Sequence, residues 1–125
     1  MPFNIKFNRS VQEGTTVISQ TETIVTQGCD KRSEVVADAA TDYEIIIGID
    51  VSSLKIFAIE SDQNVTVETN NGAAPTDTIS LTANKPVTWL EGDPALFSAD
   101  VTALYITNAS GAAATISVIS GTDTP

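Results

Sequence analysis

The chain has 125 residues, 42% of them hydrophobic, with 16 acidic side chains against 6 basic ones and a net charge of −10. That size fits one domain able to bury its own core, and that charge repels the phosphate backbone on which nucleic-acid affinity rests. The absence of histidine removes the commonest general base and metal ligand, and the single cysteine, Cys29, excludes an internal disulfide framework.

The apolar residues are mainly Val, Ile and Ala beside abundant Thr and Ser, a bias towards pleated strands. Phe3, Ile5 and Phe7 alternate with Asn4, Lys6 and Asn8, so three apolar side chains share one face of an edge strand or extended arm. Thr15 to Gln27 holds Val17, Ile18, Ile24 and Val25 among Thr, Ser and Gln, and one long strand or two short ones fit it equally. Gly28 to Arg32 reads as a polar turn, and Ser33 to Ala40 as a short strand through Val35 and Val36 or a connecting loop. Tyr43, Ile45, Ile47 and Ile49 alternate with Ile46 on the opposite face, the pattern of a central strand. Leu54 to Glu60 then reads as a strand forming a hairpin with it.

Val65 to Thr69, with Val65 and Val67 inward, Thr78 to Thr82, and Val87 to Leu90 follow as strands separated by turns rich in Asn, Asp, Gly and Pro. Glu91 to Pro94 breaks the pattern, and Phe97 to Thr102 leaves room for one helical turn. Leu104 to Asn108 and Thr115 to Ser120 read as a hairpin, and Gly121 to Pro125 as a mobile tail. Short strands with frequent turn signals and no long amphipathic helix predict an all-β fold, an antiparallel β-sandwich or jelly-roll. Residues 1–40 form an extended N-terminal arm with early strands, and residues 41–125 the sandwich core with a short flexible tail.

No catalytic constellation emerges. Cys29 lies near Lys31 and Arg32, whose charge favours a thiolate, but no partner base accompanies it and a small residue in a turn is the plainer reading. Glu44, Asp50, Glu60 and Glu68 are the carboxylates that a glycosidase would need, yet they fall on exposed faces or strand ends. Asp38, Asp42 and Asp50, or Asp93 and Asp100, offer oxygen ligands to calcium, with a solvated acidic face preferred because no acidic ligand loop is present. Trp89, Tyr105, Tyr43 and Phe97 suit core packing better than a sugar platform. The sequons at Asn64 and Asn108 read as chance matches. No apolar leader or run of about 18 apolar residues is present, which predicts folding in the cytoplasm without a membrane.

The segments Asn64 to Asn70, Asp77 to Leu81, Pro86 to Trp89, Ala103 to Asn108 and Ala114 to Val118, with the Ser110-Gly111 turn, resemble small virion proteins of tailed bacteriophages, the capsid decoration or cement proteins. The resemblance covers roughly half the chain, Asn64 to Ser120. It implies a noncatalytic β-sandwich subunit, commonly a homotrimer, that sits on the outer capsid surface and clamps major capsid proteins without cofactor, metal, nucleic acid or membrane. The segment carrying Phe3, Ile5, Lys6, Phe7 and Arg9 would then suit contact with a neighbouring subunit by strand addition, or serve as an ordinary first strand. A carbohydrate-binding or adhesive sandwich with Trp89 or Tyr105 exposed is the alternative, and a small glycosidase the third reading.

Overall fold

The computed structural model describes residues 2–123, which form ten strands and no helix. β1 (Phe3–Glu13) and β2 (Thr16–Thr26) pair antiparallel in an unbroken register from Phe3 with Thr26 to Glu13 with Thr16. Gly14, with φ of +59°, supplies the left-handed residue of their turn. The remaining strands are β3 (Gly28–Val36), β4 (Tyr43–Ile49), β5 (Leu54–Ser61), β6 (Val65–Thr69), β7 (Thr78–Leu81), β8 (Val87–Leu90), β9 (Val101–Thr107) and β10 (Ala114–Thr122).

These eight strands make two four-stranded antiparallel sheets, one in the order β3-β10-β5-β8 and the other β4-β9-β6-β7. The pairs β3 with β10, β4 with β9, β5 with β8 and β6 with β7 are nested in sequence, as in one long ribbon. Rolling that ribbon up joins β10 to β5 and β9 to β6. This is the double Greek key of a jelly-roll.

The inner faces interdigitate as pleated sheets must. Val36, Phe57, Ile59, Ile116 and Val118 meet Ile45, Ile47, Ile49, Val67, Leu104 and Ile106 in one buried cluster. Phe97 enters it edge-on to Phe57, with ring centroids 5.0 Å apart. Among the polar side chains buried in the sandwich, Asn108 donates to the carbonyls of Val36, Ala37 and Ala112 and accepts from the Ser110 amide and hydroxyl. It ties the end of β3 to the β9–β10 connection, and its amide nitrogen is committed inside the protein.

Several local readings give way to this topology. Gly28 to Arg32 is not a turn but the first half of β3, which brings the sandwich's start forward from about Thr41 to Gly28. The strand escapes notice because Asp30, Arg32 and Glu34 occupy its core-side positions at the sheet edge, opposite Ser120, Val118 and Ile116. β4 is an edge strand, with Ile46 exposed on its outer face. It forms no hairpin with β5, nor β9 with β10, because those connections cross between sheets. Phe97 to Thr102 contains no helical turn. Gly121 and Thr122 belong to β10 and the Asp123 amide donates to the Ser53 carbonyl, whereas Thr124 and Pro125 lie outside the described residues.

Replacing Asn108 by Ala leaves buried carbonyls without donors and should cost about 2–4 kcal/mol. Urea denaturation should show a lowered midpoint with an unchanged slope.

Candidate functional site: the N-terminal ribbon

The β1–β2 ribbon lies across the outer face of the β3-β10-β5-β8 sheet. An isolated two-stranded ribbon is marginal in water, and this one is anchored by apolar burial. Phe7, 5% exposed, packs with Ile56 of β5 and Leu90 of β8, and Ile5 and Ile24 close around them. The approach is tightest at Gly121, where an added Cβ would stand 2.6 Å from Ile5 Cδ1 and 2.9 Å from both Ile56 Cγ2 and Thr26 Cγ2. The Gln27 amide, donating to the Thr122 carbonyl, closes the root.

Arg9 clamps the far side. Its guanidinium donates through both terminal nitrogens to Asp93, at 3.0 and 2.9 Å, and sits 5.1 Å from the Phe7 ring centroid. The Arg9 hydrogen bond, assisted by the Leu90 amide, holds the Asp93 carboxyl below its ordinary value, and the same bond raises Arg9. Beyond this clamp the ribbon overhangs: every residue from Ser10 to Ser19 is exposed. The face that is sealed at Ile5 and Phe7 continues to Val11 and its cross-strand partner Ile18, each 72% exposed. Four residues of strand project the tip by roughly 14 Å.

Of the sequence-predicted contact residues, Ile5, Phe7 and Arg9 are therefore engaged with their own sandwich, while Phe3 and Lys6 are exposed. Sequence reading missed Val11 and Ile18. Their signal was present, since Val11 extends the odd-numbered apolar series of β1, but Arg9 interrupts it and the partner strand is only evident once the Gly14 turn is recognised.

The other candidates disperse. Glu44 and Glu68 flank Tyr105 on the outer face of the β4-β9-β6-β7 sheet, where the Tyr105 hydroxyl donates to Glu44 at 2.8 Å. Glu60 is on the outer face of the opposite sheet and Asp50 in the β4–β5 connection. Asp38, Asp50, Asp62, Asp77, Asp93 and Asp100 accept hydrogen bonds from the backbone amides of Gly111, Ser52, Thr115, Ser98, Leu90 and Val51 respectively, so they brace loops. Among the described residues no group of three or more acidic or cysteine side chains is placed to hold a metal. Trp89 is half-buried with its indole N–H donating to the Pro94 carbonyl, and Tyr43, at the sandwich edge, donates to Glu34. Cys29 is half-buried in a groove beside β1.

No protein-family model matches the sequence, and no curated protein matches it. Among solved structures, the chain is similar to one from Bacillus endospore appendages, described as forming a novel family of disulfide-linked pili, with 17% identity over 78% of this chain and 88% of that one and a TM-score of 0.39. That likeness is too slight to bear on function.

Two outcomes test the docking. Gly121→Val should overpack the contact by about 1–3 kcal/mol, so that hydrogen exchange accelerates in β1 and β2 while the amides of β9 stay protected. Because docking lowers the Asp93 titration, the clamp is complete above the ordinary aspartate value of about 3.9 and is lost as pH falls through the depressed folded value. Exchange in β1 should therefore rise selectively in acid, and Arg9→Gln should abolish that selective rise.

Proposed function

We propose that the chain is a noncatalytic structural subunit that binds the outer surface of a phage head through its projecting ribbon and stabilises contacts between major capsid proteins. The observation that carries this reading is the overhang, in which an apolar face continues past the sandwich to Val11 and Ile18. Solvent-exposed apolar pairs at the end of a rigidly clamped strand are suited to burial against another protein. The sequence resemblance to capsid decoration proteins supplies the kind of assembly, and the jelly-roll supports it as an architecture that recurs in viral capsids. Function of this type needs only surface buried in the assembled state, which stabilises that state by mass action.

The test is addition of the purified chain to phage heads lacking decoration. Saturable binding with a raised temperature of head disruption is expected, and Val11→Asp with Ile18→Asp should weaken it at least about a hundredfold, the worth of two buried aliphatic contacts. Binding that is absent in the wild type, or undiminished in the double variant, refutes the proposal.

A further inference from the structure

We propose that the unpaired edge of β1 is closed by β1 of a second copy of this chain, running antiparallel about a twofold axis. The inference rests on the reading of the ribbon as a contact surface and adds a second copy of the chain to the head as its partner.

The first support is the condition of the edges. A long, regular, exposed strand edge recruits other strands, and proteins protect such edges by shortness, bulges or charge. The sandwich follows that practice throughout. β7 and β8 have four residues each, β4 carries a register irregularity between Ile46 and Ile49, and β3 turns Asp30, Arg32 and Glu34 inward. β1 is neither short nor bulged: it has eleven residues, no proline and an unbroken register with β2 on one side, with no strand among the described residues on the other, and its charges Lys6, Arg9 and Glu13 balance to a single positive one, with Arg9 held by Asp93.

The second support is what borders that edge. Phe3, Asn4, Ile5 and Lys6 line a groove of about 640 Å³ whose floor includes Cys29, Lys31 and Ile119 on the outer face of the sheet. It has the form of a seat for one more strand. Antiparallel pairing sets residues of like face opposite one another, so the tip of one β1 comes beside Phe3 and Ile5 of the other. Val11 then lies over Ile119 of the second copy and Glu13 faces its Lys31. The twofold axis repeats both contacts, and each exposed tip fills the other's groove.

The third support is charge. Within residues 2–27 Lys6 and Arg9 balance Glu13 and Glu22, while all of the net −10 resides in the rest of the chain. Two acidic bodies repel, and the neutral ribbon is the part through which they can approach. A twofold contact is self-complementary and closes at two copies, unlike the trimer that the sequence resemblance implies.

Light scattering on the eluting full-length chain should give twice the 13.1 kDa chain mass. Val11→Asp, at a site 72% exposed, should give the single-chain mass with the far-ultraviolet circular dichroism of the folded chain retained. Glu13→Lys should weaken the dimer about tenfold, and adding Lys31→Glu to the same chain should restore it. A monomeric or trimeric wild type, or a Val11→Asp variant that stays dimeric, overturns the pairing. Head binding by a monomeric wild type would overturn it while leaving the decoration reading intact, so the two fail separately.

Discussion

A strand in a sandwich normally turns one face to the core and the other to water, and β5 does not have that freedom. Phe57 and Ile59 enter the core between the sheets, whereas Ile56, one position out of phase, points outward beside Leu90 of β8. Two-sided burial of this kind is ordinary where another layer covers a sheet, and here that layer is the N-terminal ribbon. Ribbon and sheet thus need each other: Ile56 and Leu90 would be wet without Phe7, and the ribbon would be marginal without them. Gly121 makes the contact possible by leaving the middle of the sheet flat where Ile5 and Thr26 descend. The ribbon is accordingly a third layer of the fold and not a loose arm.

Much of the fold was legible because burial follows the period of the pleat. Ile45, Ile47 and Ile49, or Val65 and Val67, declare strand and inward face together. Pairing was not legible, since alternation says which face is buried and nothing about which strand lies alongside. Neighbouring strands across short connections read as hairpins, yet the connection from Asp50 to Ser53 crosses between sheets, braced by Asp50 accepting from the Ser52 amide. β3 was hidden for a different reason. Its inward positions at Asp30, Arg32 and Glu34 lie at the open edge, where Arg32 pairs with Asp30 and Glu34 accepts from Tyr43, so charge stands where a core strand would have aliphatics.

The acidic composition takes on a specific meaning in this frame. Asp38, Asp77 and Asp100 are short acceptors that satisfy loop amides a helix or sheet would otherwise pair, and Asp62 does the same for the Thr115 amide near the start of β10. A jelly-roll has many crossings between sheets and correspondingly many such amides, which gives a structural use for aspartate that composition alone reads as a solvated face. The by-product is a body of strong negative charge attached to a neutral ribbon.

That separation bears on how association could work. An unanchored apolar hairpin would lose conformational entropy on binding, and this cost would offset much of what its few exposed side chains contribute. Here the ordering has already occurred during folding: Phe7 fixes the ribbon's height above the sheet, Arg9 and Asp93 fix its direction, and the sheet-side face is left uncovered beyond them. In the proposed association Val11 and Ile18 would meet a partner as a preformed surface, with strand edges contributing directional hydrogen bonds and the charged body disfavouring approach from other sides. Specificity for one geometry follows from the same residues that complete the fold.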